Sequence, residues 1–92
     1  MIRSFRDRAT EQLWMGAFVK RFGGIQRQKL RKLDMLNSAR ELNDMRAPPA
    51  NRLEALAGDR RGQHSIRIND QWRICFTWTK EGPANVEIVD YH

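Results

Sequence analysis

The chain has 92 residues, 40% hydrophobic and 30% charged, with 17 Lys or Arg against 11 Asp or Glu and a formal net charge of +6. That is apolar content for one folded domain with a single modest core, and too little charge imbalance for disorder. With no apolar run near the roughly 20 residues of a membrane span and no hydrophobic segment in MIRSFRDRAT, a cytoplasmic location and no membrane partner are expected.

In chain order, Met1 to Phe5 is β-compatible, with Ile2 and Phe5 as its packed residues. Asp7 caps a predicted helix from Arg8 to about Phe18, in which Leu13, Trp14 and Phe18 share one face. Lys20 and Arg21 suit its C-terminal end, and Gly23-Gly24 terminates it. A second helix is expected from Ile25 to Leu36, with Ile25, Leu33 and Leu36 in one stripe and Leu30 at its margin. Arg27, Arg31 and Asp34 take the opposite side, while Lys29 and Lys32 border the stripe with snorkelling stems.

The charge is concentrated here. Residues 1–33 carry nine Lys or Arg against Asp7 and Glu11, a net +7, whereas residues 34–92 carry eight against nine. A localised basic patch is the footprint of a polyanion, because neutralising phosphates releases counterions and steers association. Nucleic acid is favoured over a membrane surface, since no broad exposed apolar face accompanies these cations. Lys20, Arg21, Arg27, Lys29 and Arg31 are therefore candidates for binding a nucleic-acid backbone, RNA included, with an acidic partner or a solvated helix face as the alternatives.

Ser38 and Glu41 have capping-box spacing for a short third helix ending near Met45. Ala47-Pro48-Pro49-Ala50 cannot continue a helix and reads as an extended connection. Arg52 to Ala57 is a single helical turn at most, and Gly58 to Gly62 is a charged turn in which Arg60 is a further candidate for RNA binding.

From Gly62 to Trp78 the sequence GQHSIRINDQWRICFTW alternates apolar and polar residues with a period of two, which predicts a β-hairpin. Parity sets its loop. A two-residue loop would oppose Ile66 to Arg73, whereas an odd loop such as Asn69 to Gln71 pairs Ile66 with Ile74 and Ile68 with Trp72. Arg67 then faces Arg73. Like charges directly opposite are unfavourable, so the pair suggests an anion between them, most naturally a phosphate; two solvated arginines are the alternative. His64 falls on the core side with Ile66 and Ile68, as a packing residue or an accessory catalyst. The lone Cys75 reads as a packed residue, and one cysteine with two histidines argues against a structural zinc site.

A turn at Lys80 to Pro83 leads to a last strand, Asn85 to Tyr91. If that turn has four residues, Asp90 pairs with Arg73, at the cost of placing Val86 and Ile88 on the same face. That register gathers Arg67, Arg73, Asp90, Tyr91 and His92. These groups suit RNA scission without a metal or cofactor: a base activates the ribose 2′-hydroxyl, an arginine stabilises the phosphorane, and an acid protonates the leaving oxygen. His92 is the natural proton-transfer group. The element order is β-α-α-α-β-β-β, an α+β class with a small antiparallel sheet and helices on one face, the other face being polar or carrying the site.

GDRRGQHSIRINDQWRICFTW followed by VEIVDYH resembles the HigB group of the RelE superfamily, the toxins of bacterial type II toxin–antitoxin pairs; MIRSF and RLEAL fit the same pattern. The resemblance implies one RelE-like microbial-ribonuclease domain over residues 1–92, acting in the bacterial cytoplasm. It implies entry into the A site of the 70S ribosome, cleavage of mRNA there and arrest of translation. It further implies a helix-turn-helix HigA-type antitoxin, with operator DNA bound only through the toxin–antitoxin complex. The catalytic arginine of the family falls on Arg73, and its acidic, tyrosine and histidine residues fall on Asp90, Tyr91 and His92. Where some relatives carry a histidine and a lysine, this chain has Glu54 and Ala57, so Glu54 is either an accessory base or a solvent-facing residue. Two other readings stand: a non-catalytic RNA- or ribosome-binding protein that blocks translation by occupancy, and an antitoxin-binding module without nuclease activity.

Overall fold

The computed structural model describes residues 1–24 and 26–90. Two helices, α1 (Arg8–Trp14) and α2 (Gln26–Ser38), precede four strands, β1 (Glu54–Ala55), β2 (His64–Arg67), β3 (Trp72–Thr79) and β4 (Gly82–Asp90). The strands form one antiparallel sheet in the order β1-β2-β3-β4. The α+β class is as expected. The core lies between the helices and one sheet face, where Leu13, Leu33 and Leu36 meet Ile66, Ile74, Phe76, Val86 and Ile88, each at most 1% exposed.

The N-terminal segment is not a full strand. It makes a single parallel bridge, Phe5 to Val86, supported by Arg3 N–H to Pro83 O (2.8 Å), Arg6 N–H to Val86 O (2.9 Å) and Val86 N–H to Ser4 O (3.0 Å). These bonds cover the outer edge of β4, which would otherwise present unpaired backbone groups. Asp7 caps α1 as expected, its carboxylate accepting from Thr10 N–H at 3.2 Å. The helix is shorter than the sequence suggests, because Gly16 takes φ +98°, a left-handed conformation that ends a helix. Phe18 therefore leaves the apolar face and is 75% exposed.

The expected third helix is replaced by 3-10 turns at Leu42–Arg46 and Pro49–Asn51. Ser38 ends α2 and caps nothing beyond it. The Asp44 carboxylate accepts from the backbone N–H groups of Arg40 (2.9 Å) and Glu41 (3.1 Å), which makes Glu41 the cap. Residues 54–55 form a strand and not a helical turn. Arg52 turns the chain at φ +47°, Glu54 then pairs with Ser65 and Ala55 with His64.

The β2–β3 register follows the parity argument: Ile66 opposes Ile74 and Arg67 opposes Arg73. The β3–β4 register does not. The turn has two residues, Lys80 and Glu81, between Thr79 and Gly82, and a bulge interrupts the ladder beyond it, so that Trp72 opposes Asp90 and Arg73 opposes Val89. Asn85, inside the bulge, has φ +53°, a conformation asparagine tolerates better than most residues. A slip of one residue moves every side chain of a strand to the other face. The observed slip places Val86 and Ile88, both 0% exposed, in the core. Burying two such aliphatic side chains contributes about 1.5–3 kcal/mol each, more than a surface carboxylate–arginine pair returns.

Candidate functional site

The sheet face away from the helices carries Glu54, Ser65, Arg67, Arg73, Cys75 and Glu87, which register places on one side. Arg73 sits at its centre, 7% exposed. Its Nε donates to Ser65 Oγ at 3.0 Å, and its Nη2 donates to the Arg52 carbonyl at 3.0 Å and lies 3.2 Å from Glu54 Oε1. A guanidinium is planar and presents its donors in a fixed fork, so three acceptors from three different segments fix its orientation. The left-handed turn at Arg52 and the first residue of β1 supply two of them.

Arg73, Arg52 and Arg67, with Asn69 and Asp70, line a cleft of about 260 Å³. Arg67 pairs with Asp70 through Nη2, and the Asp70 side chain is 97% exposed. The hairpin tip that carries these residues is held in place. Asn69 Oδ1 accepts from the N–H groups of Gln71 and Trp72, both at 2.9 Å, and Asn69 Nδ2 donates to Gln28 Oε1 of α2 at 3.1 Å. A concave surface lined by three arginines, with exposed carboxylates beside Arg67 and Arg73, suits a phosphate.

Of the residues anticipated from sequence, the structure brings together Arg67, Arg73 and Glu54. Glu54 is neither purely solvent-facing nor aimed at open space; it is the half-exposed partner of Arg73. Asp90 is not on this face. It opposes Trp72, and its Oδ2 accepts from Gln71 Nε2 at 3.3 Å. Tyr91 and His92 lie outside the described residues, as does Ile25 of the α2 stripe. Arg60 is engaged elsewhere: Nη1 lies 3.1 Å from Glu87 Oε1, and Arg6 approaches the same oxygen at 4.0 Å. Cys75 lies among these groups, where burial pushes its thiol above the usual range. His64 is on the core side as expected, stacked on Phe76 at 6.4 Å.

The basic residues of the first third are divided between elements. Arg27 and Arg31 are exposed on α2, in the helical layer, and Lys20 and Arg21 are exposed on a 3-10 turn, Lys20–Phe22. Lys29 corrects the reading: it is 1% exposed, with its ammonium 5.0 Å from the Trp72 ring centroid, and burial lowers its pKa. A lysine so enclosed is no part of a surface that tracks phosphates. Arg52 is the residue that sequence reasoning missed. Its signal is the Pro-Pro-Ala-Asn run before it, which makes a turn there more plausible than a helix start.

The fold is a small α+β domain that gathers arginines over one face of an antiparallel sheet, an arrangement suited to an anion. A family model described as the RelE-like toxin of the type II toxin–antitoxin system HigB matches residues 3–92. The chain is 36% identical over 94 residues to Toxin HigB-1 of Vibrio cholerae, covering all of this chain and 98% of that protein. It is also 44% identical over 56 residues to an uncharacterised protein of Haemophilus influenzae, spanning 61% of this chain and 55% of that one. The chain belongs to the HigB-type, RelE-like toxins of type II toxin–antitoxin systems.

Proposed function

We propose that the protein is an endoribonuclease that cleaves mRNA in the ribosomal A site and is neutralised by a HigA-type antitoxin. The supporting observation is the fixed Arg73 guanidinium, held by Ser65, Arg52 and Glu54 at the wall of a cleft that Arg52 and Arg67 also line. In this reading a phosphodiester enters the cleft and draws Arg67 and Arg73 away from the exposed Asp70 and half-exposed Glu54. The ribose 2′-oxygen attacks phosphorus as it loses its proton, the bond to the 5′-oxygen breaks, and that oxygen is protonated as it leaves. Arg73 stabilises the charge that develops on the phosphorane. Proton transfer falls to Tyr91 and His92, on the family resemblance. The ribosome orients the strand and completes the site.

Primer-extension mapping of a defined mRNA, with and without programmed ribosomes, tests this. Cuts that appear only with ribosomes and in register with the reading frame are expected. Intact mRNA with translation still arrested would instead establish an occupancy blocker.

A further inference from the structure

A second cavity, of about 320 Å³, lies across β1 from the arginine cleft, and Leu42, Asn43, Arg46, Leu53, Ala55 and His64 line it together with Glu54. The two cavities meet at Glu54, which lines this one and pairs with Arg73, a wall of the other. We propose that this cavity is a nucleobase pocket, selective for guanine, that receives a base of the RNA whose phosphate occupies the arginine cleft. The inference rests on the nuclease reading above and adds to it a site of base selection.

The lining has the composition of a base site. Leu42 and Leu53 provide apolar walls, and the His64 ring, supported from behind by Phe76, provides a flat one. Stacking on such a surface favours any base, and polar groups at the rim decide which. Arg46 Nε donates to Asn43 Oδ1 at 2.8 Å, so the carbonyl side of Asn43 is occupied and its amide N–H groups are left to be presented beside the guanidinium. Donors therefore stand on the 3-10 turn and a carboxylate, Glu54, stands across from them on β1. Glu54 meets Arg73 through Oε1 and is half-exposed, so a phosphate that takes its place on Arg73 leaves the carboxylate to accept from the base. Guanine alone among the four bases offers this set what it lacks: adjacent N–H groups at N1 and N2 for the carboxylate, and the O6 and N7 acceptors for a guanidinium.

The test is calorimetric titration of the purified protein with inorganic phosphate and with the four ribonucleoside 3′-monophosphates. Guanosine 3′-monophosphate is expected to bind roughly 5- to 100-fold more tightly than phosphate and than the other three nucleotides. Two substitutions at residues that do not line the arginine cleft are expected to abolish that difference while phosphate binding is retained: Arg46→Ala, which removes the donor, and Ala55→Trp, which fills the cavity. Nucleotides that bind no better than phosphate, or a guanosine preference that survives both substitutions, would overturn the base pocket. Loss of phosphate binding in Arg73→Ala reports on the arginine cleft separately, so a failure of the nuclease reading is distinguishable from a failure of this one.

Discussion

Two arginine clusters share the open face of the sheet, and they differ in where the carboxylate sits. Around Glu87, Arg6 and Arg60 converge on one oxygen of a carboxylate that is only 17% exposed. Around the cleft, Arg52, Arg67 and Arg73 surround open space, and their carboxylates stand at the rim, Asp70 97% and Glu54 49% exposed. A carboxylate in water is held by a pair that contributes at most about 1 kcal/mol, and an incoming phosphate can replace it. A carboxylate already taken out of water keeps the arginines that compensate its burial, because losing them would leave it a part-buried, unpaired charge. The first cluster is thus a strut, and the second is a site.

The contrast can be broken at several points, and the largest expected effect is at Arg73. Arg73→Ala should lower single-turnover mRNA cleavage by about 10²- to 10³-fold while ribosome association persists. Next is Gly82→Ala, which acts on the strut side. A Cβ there would stand 2.6 Å from the Met1 carbonyl oxygen, and φ is +126°. The N-terminal segment that carries Arg6 would be displaced, at a cost of about 2 kcal/mol measured by urea unfolding.

Glu87→Gln should cost about 1 kcal/mol or less in the same measurement, since its arginines are partly in water, and cleavage should be unchanged. At the cleft the opposite balance is expected. Asp70→Asn should leave stability unaltered and tighten phosphate binding by about two- to fivefold, read by titration, because it removes a competitor for Arg67.

The smallest effect concerns Lys29 on the core side. Burial lowers its pKa from the usual 10.5, so the folded state gives up this proton at a lower pH than the unfolded chain does. Stability should therefore rise as pH climbs through the interval just below about 10.5, where the unfolded chain binds more protons. Urea unfolding across that interval should show a shallower rise in Lys29→Met.

The two hairpins show how much of this is legible in the residues. Between β2 and β3, each face is unmixed only in one register, so Ile66 with Ile74 fixes Arg67 beside Arg73 without further information. Between β3 and β4, the bulge at Asn85 breaks the relation between turn length and parity, and a four-residue turn puts Asp90 on the wrong face. The warning is present in Val86 and Ile88, which that register leaves outside the core. Glu54 stands out in the sequence as a position of interest, but its role depends on β1. A two-residue strand carries no periodicity to reveal it. Arg52 contributes a backbone carbonyl, and no side-chain pattern announces a carbonyl. The burial of Lys29 under Trp72 is a tertiary contact between α2 and the start of β3, invisible to a helical stripe that already places the lysine at its border.

The most direct measurement is ribosome-programmed primer extension with the wild-type protein, Arg73→Ala and Arg60→Ala side by side. The two substitutions remove the same charge from the same sheet face, so net electrostatic attraction falls equally. Strong loss of cleavage in Arg73→Ala with near-normal cutting by Arg60→Ala is the predicted result. Equal losses in both, or undiminished cleavage by Arg73→Ala, would contradict the assignment of the cleft as the place where the phosphodiester is held and broken.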